Sequence, residues 1–246
     1  MAVLNFDALR DLHDSANDLL HSPVIKREIA THRQEKLVHE VSEASLRMLE
    51  VCGTTKDVVL RVKDHLHDLR SAFRRIMVGE TACGESKLQV YRCDRKKLRK
   101  DMMKRMNSLK GMRKKNACLA AAFVAGDGER EEMSAAAADD LRAVVNVLRE
   151  VRAATIAMVE AVMSLMSMPC PDRPAARGSS PSSFAAKLMR VNSLSRWEKC
   201  DAVTLQCANT RLEAVEMAVG DLEWELEAII RRLIRTRVSL LNILTN

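Results

Sequence analysis

Along almost the whole chain the apolar residues recur in alternating steps of three and four, the spacing that puts them on one face of an α-helix and, when sustained, into a coiled-coil seam. The longest run is Leu205, Ala208, Leu212, Val215, Val219, Leu222, Leu226, Ile229, Leu233, Thr236, Leu240 and Ile243. Ser195 with Glu198 forms a capping box that opens this last helix. Gly220 lies off the seam, where it costs only ~1 kcal/mol.

Upstream, Leu9, Leu12, Ala16 and Leu19 mark a first helix over about residues 5–20, stopped by Ser22-Pro23. A second helix is expected from about Val24 to Cys52, ended by Gly53. Thr54 with Asp57 offers a capping-box-like start for a third, about Thr55 to Met77, whose seam is Val59, Val62, Leu66, Leu69, Phe73 and Ile76. So short a turn predicts that these two pack as a hairpin. A Gly-containing loop, Gly79 to Glu85, leads to another capping box, Ser86 with Gln89. The helix it opens extends to about Ala125, roughly 58 Å if unbroken, with Gly111 as a place to bend and Gly126-Asp127-Gly128 as its end. Val144, Leu148, Val151, Thr155, Met158, Val162 and Leu165 then hold the alternation over three heptads.

Four of the five prolines fall in PCPDRPAARGSSPSS, from Pro169 on, which reads as an exposed linker or crossover. The expected fold is all-α, an elongated helical bundle of five to six long heptad-patterned helices. Residues 1–168 form the bundle, 169–194 a Pro/Ser-rich linker, and 195–246 a long C-terminal helix that packs back on it, one domain overall. The seam of that last helix is expected either to be buried within the chain or to pair between two chains.

Composition strengthens the helical reading. Gly (8), Pro (5) and aromatic residues (3%) are scarce in 246 residues, and the 47% hydrophobic content is mostly Leu, Val, Ala and Met. Charge is uneven: from Arg92 to Lys115 twelve Lys or Arg face only Asp94 and Asp101, a local +10 in a chain of net +7, which leaves about −3 for the rest. Such a segment is a candidate anionic docking surface, with Arg95, Lys96, Lys97, Arg99, Lys100, Lys104 and Arg105 as its contacts. Leu98, Met102, Met106, Leu109 and Met112 form an apolar stripe beneath the cations. Two readings follow: the helix offers that stripe to calmodulin or an anionic membrane, or the stripe is core and the cations are a solvated face. Arg231, Arg232, Arg235 and Arg237 add a second cationic cluster for the membrane reading.

Nothing in the chain reads as a reaction centre. All six histidines precede Phe73, and the closest pair, His65 and His67, point about 200° apart on a helix, so they cannot share one metal ion and read as surface histidines. There is no G-x-S-x-G, no phosphate-binding glycine loop and no E-x-x-H pair, so neither catalysis nor a cofactor is expected. Tyr91 is the single aromatic at the start of the basic segment, too little to stack nucleic-acid bases. Seven cysteines without C-x-x-C spacing, and charged residues in the opening MAVLNFDALRDLHD, suggest reduced thiols in an intracellular protein, cytoplasmic or membrane-peripheral. The most apolar stretch, Ala153 to Met168, is 16 residues with Glu160 inside it, short of a spanning helix. Ser180, before Pro181, and Ser193, after Arg190-Val191-Asn192, are candidate phosphorylation sites near the linker.

Several strings carry a resemblance: LRDLHDSANDLL (Leu9 to Leu20), LRMLEVCGTTKDVVLRVKDHLHDLRSAFRR (Leu46 to Arg75), the basic helix, and RRLIRTRVSLLNIL (Arg231 to Leu244). Together they resemble a plant-specific family of helical proteins related to the BYPASS proteins, from about residue 9 onward, with VCGTTKD and RTRVSLLNIL the most specific parts. The resemblance implies an all-helical plant protein with no catalytic residue or cofactor to carry over. The BYPASS relatives are linked to root and shoot development, through restraint of a mobile root-derived signal that otherwise arrests the shoot. A non-enzymatic regulatory or scaffold role through protein contacts is the expectation, with a peripheral membrane adaptor as the alternative.

Overall fold

A computed structural model describes residues 5–31, 35–125, 135–166 and 202–245. Among them are six helices and no strand: α1 (Phe6–His21), α2 (Pro23–Thr31), α3 (Glu35–Met77), α4 (Thr81–Ala125), α5 (Ala135–Met166) and α6 (Ala202–Thr245). The all-α class expected from the periodicity is the class observed. Residues 169–194, and with them the expected linker, lie outside the described residues.

The first break falls where Ser22-Pro23 predicts it. Asn5 caps α1, its side-chain oxygen accepting from the Ala8 N–H at 3.0 Å, and Ser22 leaves the helix with ψ 128. Pro23 then starts α2 at the position where a missing N–H costs nothing. The expected helix from Val24 to Cys52 is therefore two elements, α2 and the beginning of α3.

The expected stop at Gly53 is corrected. α3 runs through Gly53-Thr54-Thr55 without interruption, and both threonine hydroxyls turn back to donate to the Val51 carbonyl, at 3.0 and 2.7 Å. Thr55 is thus a buried helical residue rather than the start of a new helix. Cys52 and Val58 are buried on either side, and that packing outweighs the ~1 kcal/mol propensity cost of an internal glycine. The hairpin turn lies instead at Gly79, with φ +89. Its N–H donates to the Ile76 carbonyl (3.1 Å) and that of Glu80 to the Arg75 carbonyl (2.9 Å), a Schellman ending of α3. Glu80 accepts in turn from Gly84 (3.1 Å), so α4 begins at Thr81, and Ser86 lies inside the helix that it was expected to open. A Cβ at Gly84 would meet the Ile76 side chain and lie 3.1 Å from the Ala72 carbonyl, so the hairpin closes tightly only over glycine here.

The chain divides into two compact units: Met1–Thr55, Met106–Ala161 and Glu225–Asn246 form one, Lys56–Arg105 and Val162–Trp224 the other. The helices α3, α4, α5 and α6 each contribute to both. All twelve seam positions of α6 are buried, Leu205 to Leu222 in the second unit and Leu226 to Ile243 in the first. The seam is therefore covered within the chain, each large residue stabilising by roughly 1.5–3 kcal/mol.

Charges set the register around that core. In the second unit Lys63 pairs with Glu223 at 2.8 Å and Arg70 with Glu216 at 3.2 Å and with Glu213, so α3 and α6 run antiparallel. In the first unit Arg10 pairs with Glu225, Asp14 with Arg232 (2.8 Å), and Asn17 accepts from Ser239 (3.3 Å), so α1 ascends in the direction of α6. The acidic part of α6 thus meets cations of α3, and its arginine-rich part meets Asp14. Each exposed pair contributes only ~0.2–1 kcal/mol, yet a shift by one turn would break them together.

Candidate anionic docking surface

The two faces of α4 have separate fates. Leu98, Met102 and Leu109 are buried and Met106 and Met112 half-buried, so the stripe beneath the cations belongs to the core. Lys96, Lys97, Arg99, Lys100 and Lys104 are exposed. Lys97 leans on Asp94 at 3.2 Å, and Asp101 stands 4.0 Å from Arg61 of α3. No ion pair is formed by Lys96, Arg99, Lys100 or Lys104 among the described residues. Lys96, Lys100 and Lys104 follow at i, i+4, i+8 and form one ridge of like charge, which raises the local positive potential.

Two of the expected contacts differ. Arg95 is half-buried, and its Nη2 donates to the Met166 carbonyl at 2.5 Å, satisfying an end carbonyl of α5. Arg105 is half-buried as well. Their positions on the helix circumference place them between the exposed ridge and the core.

The α6 arginines are largely engaged within the first unit. Arg232 chelates Asp14 Oδ2 through Nε (3.0 Å) and Nη2 (2.8 Å), Arg235 lies 3.7 Å from the same carboxylate, and Arg237 donates to the Ser42 carbonyl at 2.6 Å. Arg231 pairs with Glu227 along its own helix at 3.5 Å and is exposed. Arg232 and Arg237 hold α6 to α1 and α3, whereas Arg231 and Arg235 are exposed.

The histidines also divide. His21 and His67 are exposed, and His67 lies 3.8 Å from Glu216. His65 is half-buried with its ring edge-on to the buried Tyr91 at 6.2 Å, and burial lowers its pKa. His13 corrects the surface reading: it is fully buried, with Nε2 3.1 Å from Thr155 Oγ1, and its pKa is lowered to about 4 by burial and by the nearby Arg232 charge. The apolar spacing gives the inward face of α1 as Leu9, Leu12, Ala16 and Leu19, whereas the buried residues are Leu9, His13, Ala16, Asn17 and Leu20; the i+4 step from Leu9 is the signal that marks His13. Cys52 is buried and its thiol is pushed up to about 12 by burial, whereas Cys83, Cys93 and Cys207 are exposed.

Among the described residues no group of three or more His, Cys, Asp or Glu side chains converges to hold a metal ion. No helix among them is long and apolar enough to cross a membrane. Ser180 and Ser193 lie outside the described residues.

Comparison with curated proteins and with solved structures finds no match. A scan of protein families matches residues 5–243 to the family described as Protein BPS1. That span takes in α1 to α5, all but the last two residues of α6, VCGTTKD, and RTRVSLLNIL as far as Ile243, so the chain belongs to the BPS1 family, the BYPASS family of the sequence resemblance.

Proposed function

We propose that the chain is a non-enzymatic regulatory protein of plant development that works as a scaffold, through contacts of its helices with protein partners. One observation carries the reading: α4 exposes Lys96, Lys97, Arg99, Lys100 and Lys104 while Leu98 and Met102 beneath them are buried. A helix whose apolar face is committed to its own core cannot lend that face to a membrane or to a wrapping partner without unfolding. What it offers is a rigid cationic ridge, suited to an acidic protein surface, where charge complementarity speeds encounter and orients docking. The developmental setting comes from the BYPASS relatives, which restrain a root-derived signal that otherwise arrests the shoot.

A second reading keeps the same ridge for anionic lipid, as a peripheral membrane adaptor. Attraction of about 1 kcal/mol per cation near the surface would suffice without insertion, and would fall steeply with salt. Both readings predict a role for Lys96, Lys97, Arg99 and Lys100, and flotation separates them. Wild type and a variant with these four replaced by Gln are mixed with phosphatidylcholine vesicles, with and without phosphatidylserine, at low and high salt. Flotation of the wild type alone, on anionic vesicles alone and lost at high salt, favours the adaptor. No flotation, with loss of crosslinked plant protein partners in the variant, favours the scaffold. Partners and flotation both indifferent to the four substitutions would sink both readings.

A further inference from the structure

The seam of α6 has an apolar counterpart on the opposite face of the same helix. Steps of seven from Val203 lead through Thr210, Met217, Trp224 and Arg231 to Val238, the positions of each heptad that point away from the buried seam. In a helix with one inward stripe these should be its most polar positions. Instead Val203, Met217, Trp224 and Val238 are exposed, Met217 by 69% and Trp224 by 65%, and Ile234 is exposed beside Val238. Ion pairs of each unit border this strip, Arg70 with Glu213 and Glu216 in the second and Arg232 with Asp14 in the first. An apolar strip rimmed by charges has the make-up of a protein interface, not of a solvated face.

Charge along α6 selects what covers the strip. From Glu213 to Glu227 the helix carries carboxylates and no cation, and from Arg231 to Arg237 arginines and no carboxylate. Two parallel copies of such a helix would set like charge on like, whereas two antiparallel copies set acid on base. We propose that this face of α6 pairs with the same face of a second copy of the chain, antiparallel about a two-fold axis near Glu227 and Ala228. Steps of seven are self-matching in that register. Met217 meets Val238 of the second copy, and Trp224 meets Arg231, a guanidinium against an indole face. Asp221, exposed and without an ion pair among the described residues, comes within one position of Arg235. The buried seam stays within each chain, so pairing needs no unfolding.

Sedimentation velocity of the full chain, from submicromolar to high micromolar concentration, tests this. Wild type is expected to pass from the 27.6 kDa monomer to twice that mass. Met217→Glu and Val238→Glu should each raise the dissociation constant by about tenfold or more. Helix content by circular dichroism should not change, because both positions are exposed in the single chain. Crosslinking reads the orientation, in a background where every cysteine except the buried Cys52 is replaced by Ser. A chain with Met217→Cys should form a disulfide with a chain carrying Val238→Cys, and neither with its own kind. A wild type monomeric throughout, glutamate variants that dimerise as wild type does, absence of the mixed disulfide, or disulfides between two Met217→Cys chains would overturn the proposal.

Discussion

The Nε2 of His13 on α1 lies 3.1 Å from the Oγ1 of Thr155 on α5, and that hydroxyl is 2.7 Å from the Val151 carbonyl one turn back. A carbonyl can only accept, so Thr155 donates its proton to Val151 and accepts from His13. The imidazole is thereby set as the neutral Nε2–H tautomer, and its Nδ1 is buried without a partner. Charging the ring would place a cation beside Arg232, which agrees with a pKa lowered to about 4.

Stability should therefore depend on pH through His13. Between its unfolded value of 6.5 and its folded value of about 4, the unfolded chain binds more protons. Stability falls as pH is lowered through this window, by ~1.4 kcal/mol per pH unit and roughly 3 kcal/mol in all. Above that window His13 adds no pH dependence. Urea unfolding across this range is expected to show a shallower decline for His13→Gln than for wild type, and parallel curves would contradict the assignment.

Neighbouring methionines on α4 should behave oppositely. Met102 is 0% exposed and Met103 50% exposed. Met102→Ala is expected to cost ~2–5 kcal/mol, whereas Met103→Ala should change stability by less than ~0.5 kcal/mol. Equal effects in chemical denaturation would mean that the stripe beneath the cations is not core.

Thiol chemistry offers a direct probe of burial. With its thiol pushed up to about 12, Cys52 has essentially no thiolate at pH 7 and no path to solvent. Iodoacetamide on the native protein, followed by peptide mapping, should label Cys83, Cys93 and Cys207 and spare Cys52 until denaturant is added.

Gly53 within α3 and Gly79 in the turn after it should respond to alanine with opposite sign. Gly53 is inside the helix with open space around a Cβ, so Gly53→Ala is expected to stabilise by about 1 kcal/mol. Gly79 has φ +89, and Gly79→Ala should destabilise by ~1–2 kcal/mol. A loss of stability in Gly53→Ala would restore the helix boundary that the sequence pattern suggests.

The sequence by itself determined that this chain is helical and, for α4 and α6, which face turns inward. The twelve-residue seam of α6 and the stripe Leu98, Met102 and Leu109 are legible because a period of 3.6 is written in consecutive residues. Tertiary structure alone decided that α3 continues through Gly53 and which polar groups meet. Gly53 and Thr54 carry a stop signal in local propensity, yet burial on both sides of them keeps α3 whole. Likewise His13 meets Thr155, Arg95 meets Met166 and Asp14 meets Arg232 across 142, 71 and 218 residues of chain. Local spacing cannot encode such pairs, because they depend on how separate helices stack. For the same reason the basic segment was visible as charge, while its division into a free ridge and inward-facing arginines required the packed bundle.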